Sequence, residues 1–430
     1  MYRKIEKELK AWKDNKKHTP LVIKGARQVG KSYSILKFAN DNYKNVIEIN
    51  FEKDIDIKQQ FERSLRPTDI LSYLKLRFAH KVFNEKETLI FLDEIQACPN
   101  AITSLKFLAQ ECPYDVIASG SMLGVAIAAS TSYPVGYITT IELYPMDFEE
   151  FLYANNVSKE IISSLQNNFL CKTKVPEGIH QIMNEYLKKY IICGGMPAVV
   201  ASFVETNDFQ KIRILQQQIL KDYHEDIAKY GNPNDKIRAQ ECFDAIPQQL
   251  AKENKKFQYK LIRSGGSARF YEASLQWLKD SGLILQTYRL KSIQEPIEAY
   301  KELNIFKVYL FDTGLLLSSL SIECSTAILN EENMIYKGAI YENLAAQMLN
   351  IKFHQLYYFE PSTRSEIDFI LNYNNSIVPI EIKSSRNATS KSLGAYIDKY
   401  QPNIALKFSF NNVNANSKVT CFPLYMLMFL

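Results

Sequence analysis

The sequence predicts an α/β protein made of several domains, and three observations indicate this fold class. The chain has 430 residues, which is more than one typical domain core accommodates. Its N-terminal part alternates short apolar runs with helical patterns, as is typical of a parallel sheet covered by helices. Near the C-terminus, a helical segment precedes stretches of alternating apolar and polar residues, which predict a second set of strands.

The composition is that of an ordinary globular protein. Hydrophobic residues make up 46% and charged residues 23% of the chain, which supplies enough apolar surface for folded cores. The net charge is only +5, so any nucleic-acid surface must be local. The seven cysteines are scattered without a C-x-x-C pair, which argues against disulfides and structural zinc and favours the reducing cytoplasm.

The sequence gives no indication of a membrane segment. The N-terminal residues predict an amphipathic helix on Ile5, Leu9 and Trp12 and lack the apolar core of a secretory signal. The most apolar window, Val116 to Ala129, contains serines and glycines and is shorter than the roughly 20 residues that a membrane span requires. We therefore expect a soluble cytoplasmic protein without a membrane partner.

A glycine-rich loop follows the first predicted strand. The apolar run Thr19 to Ile23 leads into GARQVGKS at Gly25 to Ser32, and a helical pattern follows. This order predicts a phosphate-binding loop rather than an ordinary glycine turn, with Lys31 on the β- and γ-phosphates and Ser32 on Mg²⁺. The backbone N–H groups of the loop complete the predicted ATP site, at Gly25, Ala26, Arg27, Gln28, Val29 and Gly30.

A second motif completes this site. The apolar run TLIFLDE, from Thr88 to Glu94, is typical of a buried parallel strand that ends in two acids. Asp93 can hold the magnesium shell and Glu94 can orient an attacking water. The pair predicts hydrolysis, and the alternative is a buried strand with an acidic end and no nucleotide.

Two further apolar runs extend the predicted parallel sheet. They are VIEINF at Val46 to Phe51 and VIAS at Val116 to Ser119. Ser119 and Ser121 lie where the second of these strands ends, near the expected γ-phosphate. They either sense that phosphate by hydrogen bonding or cap a turn.

These motifs resemble those of the bacterial and archaeal AAA+-type ATPases whose P-loop has the pattern GxRQVGK[ST]. The resemblance rests on GARQVGKS and continues through LDEIQ at Leu92 to Gln96, ASGS at Ala118 to Ser121 and LYPMDFEEF at Leu143 to Phe151. It covers essentially the whole chain and implies an AAA+-like ATPase domain over residues 1–153. Family members often have a basic residue where this chain has Tyr137 after Gly136, so the arginine finger has no assigned residue, and Arg27 has no derived role.

The middle of the chain predicts two helical regions. Residues 154–235 predict a helical lid or connector, with a break at Gly194 and Gly195, and NPND at Asn232 to Asp235 marks a boundary. Residues 236–300 follow the order helix, basic turn, helix, strand, which predicts a winged-helix-like domain.

The winged-helix-like region has a local excess of positive charge. Between residues 252 and 291, nine basic residues against three acids give a local net charge of +6. The basic residues are Lys252, Lys255, Lys256, Lys260, Arg263, Arg269, Lys279, Arg289 and Lys291. Arg263, Arg269 and the neighbouring lysines predict contacts with nucleic acid. The alternative is a small solvated domain that docks another protein.

Three segments near the C-terminus carry a second group of charged residues. They are KGAIYENLA at Lys337 to Ala345, RSEIDFIL at Arg364 to Leu371 and VPIEIKSS at Val378 to Ser385. Period-two alternation places Glu381 and Lys383 on one strand face. If the two strands form a hairpin, Asp368 converges on that face, with Glu342 approaching from the helix. Asp368 and Glu381 could then hold Mg²⁺ for attack on a phosphodiester.

This arrangement looks like the PD-(D/E)XK nuclease fold, in which an Asp precedes an E-x-K strand and an earlier helix supplies a Glu. All four positions are filled, by Glu342, Asp368, Glu381 and Lys383. The resemblance implies a nuclease-like domain over residues 301–430, as in many members of the ATPase family. The alternative is a scaffold retained for binding or assembly. Glu366 is left open as a ligand or a solvated neighbour.

Together these patterns predict a Mg²⁺-dependent ATPase that couples its nucleotide cycle to nucleic-acid binding and cleavage. The alternative is a nucleotide-switched protein-binding or assembly module with a catalytically silent nuclease-like domain. A homo-oligomer is left open, because a neighbour's arginine often completes a P-loop site.

Overall fold

The computed structural model describes residues 1–121, 134–229, 231–332, 334–362, 365–384, 390–415 and 418–430. Most of the apolar window Val116 to Ala129, together with Arg364 and Ser385, therefore lies outside the described residues. The chain divides into two compact units. The first consists of Tyr2–Pro145 and Asp280–Gly282, and the second of Met146–Lys279 and Leu283–Leu430, with Met1. Within the described ranges, no helix is both long enough and apolar enough to cross a bilayer.

The first unit contains a five-stranded parallel sheet in the order β2-β3-β4-β1-β5. Its strands are β1 (Leu21–Lys24), β2 (Asn45–Asn50), β3 (Thr88–Asp93), β4 (Asp115–Gly120) and β5 (Thr139–Glu142). Its helices are α1 (Ile5–Asp14), α2 (Lys31–Asn42), α3 (Ile55–Arg63), α4 (Pro67–Arg77) and α5 (Pro99–Glu111). The parallel sheet predicted from the alternating pattern is thereby confirmed.

Strand β3 forms the centre of the core of this sheet. All six of its residues are buried, as expected for a continuous apolar strand covered on both faces. Its side chains Ile90 and Leu92 pack in one cluster with residues of β2, β4 and helices α3 to α5. The carboxyl ends of the parallel strands meet at one edge, and the acidic end of β3 lies there.

The second unit begins with a run of helices. They are α6 (Phe148–Ala154), α7 (Lys159–Cys171), α8 (Glu177–Cys193), α9 (Pro197–Thr206), α10 (Phe209–Ile227), α11 (Pro233–Asp244), α12 (Ile246–Leu250), α13 (Tyr259–Ile262) and α14 (Ala268–Asp280). Helix α8 ends at the predicted break, where Gly194 has a φ of 69°, and Pro197 is the first residue of α9.

A seven-stranded mixed sheet follows, in the order β12-β11-β10-β9-β8-β6-β7. Its strands are β6 (Ile284–Leu290), β7 (Lys301–Leu310), β8 (Leu356–Ser362), β9 (Ser365–Tyr373), β10 (Ser376–Ile382), β11 (Leu406–Ser409) and β12 (Thr420–Pro423). The helices between them are α15 (Thr313–Ser318), α16 (Ile322–Leu329), α17 (Lys337–Phe353) and α18 (Lys391–Tyr400).

Strand β6 lies in one predicted domain and pairs with strands of the next. It is the last element of the winged-helix-like segment 236–300, yet it forms an antiparallel hairpin with β7 and a parallel pair with β8. The proposed boundary between residues 300 and 301 therefore falls inside a hairpin. The sequence pattern identifies a strand but carries no information about its long-range partner.

A buried carboxylate joins the helical break to this sheet. Asp312, which follows β7, is fully buried and accepts hydrogen bonds from the N–H groups of Gly195 (2.6 Å) and Leu315 (2.9 Å). Burial raises the pKa of Asp312 to about 6, against the lowering effect of the N–H donors. The Gly195 carbonyl in turn accepts the N–H of Met146 at 2.6 Å. At this break the backbones at Gly195 and Met146 lie so close together that position 195 requires glycine.

We expect Gly195→Ala to lower the thermal stability of the protein. The added Cβ would lie 2.1 Å from the Met146 carbonyl oxygen, and relieving this clash should cost about 2 kcal/mol or more. Gly178→Ala is the matched control, since a Cβ there meets nothing within 4 Å. Melting curves of the two variants should separate clearly, and coincident curves would contradict this account of the break.

Candidate functional site

The order of the parallel sheet brings the two predicted motifs together. Strand β4 lies between β1, which leads into the glycine loop, and β3, which ends in the acids. The register pairs Ile23 with Ser119 and Leu92 with Ala118. Ser119 therefore lies beside Asp93, at the same edge as the loop.

The loop conformation explains its glycines. Gly30 has a φ of 91° and Gln28 a φ of 62°, both in the left-handed region. At Gly25 the φ is 154°, and a Cβ would lie 2.2 Å from the carbonyl oxygen of Leu143. Helix α2 begins at Lys31, directly after the loop. The N-terminus of that helix therefore borders the loop, as an anion site requires.

Lys31 lies across this loop. Its side chain is 7% exposed, and Nζ donates to the carbonyl oxygens of Gly25 (3.1 Å) and Ala26 (2.8 Å). Burial lowers the pKa of Lys31 to about 8, opposed by the nearby carboxylates of Glu94 and Asp93. The loop thus contains an ammonium group close to losing its proton at neutral to mildly alkaline pH.

Asp93 is the centre of a polar cluster. Its carboxylate is 6% exposed and accepts the Ser32 hydroxyl at 3.1 and 3.0 Å on its two oxygens. The Ser119 hydroxyl also donates to it, and Asn50 Nδ2 lies 3.4 Å from Oδ2. A hydroxyl and a carboxylate in contact are the hard oxygen ligands that Mg²⁺ prefers, so this pair fits the predicted metal.

Glu94 is held in an unusual backbone conformation. Its φ is 49°, and such left-handed non-glycine residues concentrate at functional sites. Gln96 Nε2 donates to the Glu94 carboxylate and lies 3.4 Å from the Ser121 hydroxyl. Gln96 therefore fixes the carboxylate that is predicted to act on water and links it to the second predicted serine.

Sequence reasoning missed three residues of this site. Asn50 is the last residue of β2 and Gln96 stands inside LDEIQ, so position alone could have indicated both. Arg3 had no such signal, although its guanidinium donates to the carbonyl of loop residue Val29 at 2.8 Å.

Arg27 lies 3.7 Å from Glu52 in a partly exposed ion pair.

The C-terminal residues also converge. The register of strands β9 and β10 ends with Ile380 opposite Phe369, and Glu381 and Asp368 directly follow this pair on the two strands. The Ile382 N–H donates to Asp368 Oδ2 at 2.8 Å. Glu342 on α17, Glu366 and Asp368 each offer a carboxylate oxygen within 4.8 Å of the others. Glu381 is not part of this group of three.

Three donors that the sequence analysis did not foresee surround Glu342. Lys307, fully buried on β7, donates to Glu342 at 2.7 Å and also to Glu366. Lys255 donates to the other Glu342 oxygen at 2.5 Å, and the Tyr309 hydroxyl donates to Glu342 as well. Burial alone would raise the pKa of Glu342, but Lys255 and Lys307 outweigh burial and hold it well below its usual range.

Asp368 and Glu381 have the opposite electrostatic environment. Burial raises the pKa of both carboxyls. At Asp368, repulsion from Glu381 raises the pKa further. At Glu381, the ion pair with Lys383 opposes the rise. Glu381 Oε1 pairs with Lys383, while Glu381 Oε2 is buried and has no hydrogen-bond partner. An orphaned carboxylate oxygen next to a second carboxylate is a donor set that fits a divalent cation.

Several basic residues of the winged-helix-like segment form ion pairs with acidic residues of the protein. Lys255 pairs with Glu342, Lys256 with Glu360, and Arg289 with Glu302 and Glu360. The residues that remain exposed are Lys260, Arg263, Arg269 and Lys291. The basic surface available to a partner is therefore smaller than the sequence count of +6 indicates.

Three family matches cover most of the chain. Residues 17–152 match the AAA domain family, residues 184–326 match a domain of unknown function, DUF8612, and residues 337–427 match another, DUF4143. No curated protein matches the chain. The AAA match includes the loop, Asp93, Glu94 and both serines, and it supports nucleotide binding and hydrolysis by this region.

Solved structures similar to the chain include three proteins of low sequence identity. The Walker-type ATPase of Pyrococcus abyssi is 15% identical over 73% of this chain and 94% of its own, with a TM-score of 0.44. A STAND protein with a tetratricopeptide repeat sensor from Pyrococcus horikoshii is 13% identical over 82% and 45%, with a TM-score of 0.28. AMPPCP-bound DnaA from Aquifex aeolicus is 13% identical over 64% and 86%, with a TM-score of 0.27.

We expect ATP binding to weaken as the pH rises through about 8. The Lys31 ammonium loses its proton near that pH, and a neutral amine does not attract phosphates. The Kd for ATP should therefore rise several-fold between about pH 7 and about pH 9 at constant free Mg²⁺. Lys31→Arg stays charged throughout and should show a flatter profile. A wild-type profile that is flat over this range would contradict the role of Lys31.

Proposed function

We propose that this chain is a Mg²⁺-dependent ATPase whose nucleotide cycle controls nucleic-acid binding by its second unit. The observation that carries the ATPase assignment is the cluster of Ser32, Asp93 and Ser119 next to Lys31. In P-loop ATPases, a serine hydroxyl of the loop and an aspartate at the end of the neighbouring strand hold Mg²⁺ beside the phosphates. The AAA match over residues 17–152 supports the same assignment.

Each residue of the site has a defined task in this proposal. Ser32 and Asp93 would hold Mg²⁺, which would supply positive charge beside the phosphates. Lys31 stabilises the charge of the transferred phosphoryl group. Glu94 orients the attacking water and accepts its proton, while Gln96 keeps the carboxylate in place. Ser119 touches Asp93 and so adjoins the position of the γ-phosphate.

The nucleic-acid part of the proposal rests on the second unit. Lys260, Arg263 and Arg269 are exposed on and between helices α13 and α14, and they form no ion pair with another residue in the part of the chain that the structure describes. Exposed guanidinium groups on a helix are suited to phosphate and base contacts. We therefore assign this surface to nucleic acid.

The proposal includes a cleavage site at Asp368 and Glu381. These two carboxylates would hold a divalent cation, which activates water and stabilises charge on an attacked phosphodiester. The partnerless Glu381 Oε2 supports this placement. Lys383 would neutralise the attacked phosphate group from the same strand face.

One observation favours the second candidate function, a nuclease-like domain that binds or assembles without cleaving. Glu342 is already neutralised by Lys255 and Lys307, so the helix carboxylate of the predicted set does not require a metal. A buried network of this kind is destabilised when one partner is removed. It can therefore hold a scaffold together without catalysis.

Glu94→Gln should bind ATP with near wild-type affinity and hydrolyse it about 100-fold more slowly, because the amide cannot accept a proton from water. Lys31→Ala should lose most of its ATP affinity. The control is Glu87→Gln, the same change just before the opposite end of β3, where the half-exposed side chain pairs with Lys44. Equal turnover by Glu94→Gln and Glu87→Gln would remove Glu94 from the mechanism.

Cleavage is tested with labelled single- and double-stranded DNA and RNA in Mg²⁺ or Mn²⁺, with and without ATP. Wild type should cut and the double variant Glu381→Ala, Lys383→Ala should not. The control Asp398→Ala, Lys399→Ala removes the same charges from the exposed face of α18 and should cut normally. Mn²⁺ titration calorimetry separates the two candidates further, since a silent domain should show no heat that depends on Glu381.

A further inference from the structure

A buried arginine near the N-terminus contacts the phosphate-binding loop from behind. Arg3 precedes helix α1 and is only 4% exposed. Its Nη1 donates to the carbonyl oxygen of Val29 at 2.8 Å, and its Nη2 donates to the carbonyl oxygen of Tyr144 at 2.7 Å. One guanidinium therefore spans the loop and the segment that follows β5.

The Val29 contact fixes the direction of one loop peptide. The Val29 carbonyl and the Gly30 N–H belong to the same trans peptide group, and they point in opposite directions. Because Arg3 holds the carbonyl, the Gly30 N–H must point away from Arg3. Glycine at position 30 permits many peptide orientations and selects none of them. The selection therefore has to come from a contact such as this one.

The Tyr144 contact holds the same loop against the segment that follows β5. Strand β5 pairs with β1, and the Leu143 N–H continues that pairing with the Lys24 carbonyl at 2.8 Å. Leu143 is also the residue whose carbonyl lies against Gly25. The segment 143–144 thus forms the side of the loop, and Arg3 links this side to the peptide at Val29.

We propose that Arg3 is a positioning residue for the nucleotide: it sets the orientation of the Gly30 N–H in the phosphate cradle. This inference rests on the proposed ATP binding. Arginine suits the task because its planar fork holds two carbonyls at once and stays charged at any physiological pH. Its positive charge, buried behind the loop, also favours an anion in front of it.

The competing explanation is that Arg3 only secures helix α1. That helix has its own anchors, since Ile5, Leu9 and Trp12 are buried and Lys37 of α2 pairs with Glu6 at 2.7 Å. Lys37→Ala removes one anchor of α1 and leaves Arg3 in place. It is therefore the matched control for a purely structural effect.

The test measures the Kd of a fluorescent ATP analogue, the KM and kcat for ATP, and the melting temperature without nucleotide. Arg3→Ala should raise Kd and KM by about tenfold, the loss expected for a charge-assisted hydrogen bond. Arg3→Lys keeps the charge but not the fork, and it should recover part of the affinity. Lys37→Ala should change the melting temperature while Kd and KM stay within about twofold of wild type.

The results that would overturn the inference are distinguishable from one another. If Arg3→Ala lowers the melting temperature but leaves Kd and KM within about twofold, Arg3 is a structural residue and the ATPase proposal stands. If wild type itself binds no nucleotide, the proposed function fails and the role of Arg3 falls with it. If Arg3→Ala does not fold, the Arg3→Lys variant decides, since a wild-type Kd and KM there would also reject the positioning role.

Discussion

Asp93 in the first unit and Glu342 in the second have different hydrogen-bond donors, and the chemistry available to each carboxylate depends on this difference. Asp93 is held by the hydroxyls of Ser32 and Ser119, which supply hydrogen bonds but no charge. Glu342 is held by two lysines as well as a tyrosine hydroxyl. A carboxylate that has only neutral hydrogen-bond donors can take a metal cation as its counter-charge, whereas a carboxylate paired with ammonium groups already has one. The Asp93 carboxylate therefore fits a metal cation, whereas Glu342 already has its counter-charges in Lys255 and Lys307.

The sequence was sufficient for much of the first unit because its determinants are local. The loop, the apolar strand and the acids are contiguous motifs, and the rule that parallel strands end at one edge brings Asp93 to the loop. The orientation of Glu94 and the contact of Arg3 with Val29 could not be predicted from the sequence. Both depend on pairs of residues that no periodicity connects, and Arg3 stands 26 positions from its partner.

In the second unit the strands and the charged faces of β9 and β10 were predictable from period-two alternation, and Asp368 and Glu381 lie directly beyond the last register pair, Ile380 with Phe369. Lys307 was not predictable. It stands in an apolar strand, KELNIFKVYL, where a lysine is expected to point to solvent, yet its side chain is fully buried. Only the three-dimensional neighbourhood of Glu342 and Glu366 shows why the charge is tolerated there.

The hairpin of β6 and β7 has a consequence for how the second unit can be divided. Because β6 also pairs with β8, removing the chain before residue 301 would leave β8 with an unpaired edge, and unpaired edges promote aggregation. The match over residues 184–326 likewise includes both strands of the hairpin. The hairpin that follows helix α14 is therefore part of the same continuous sheet as the strands that carry Asp368 and Glu381, and opening any one of these strands exposes the edge of its neighbour.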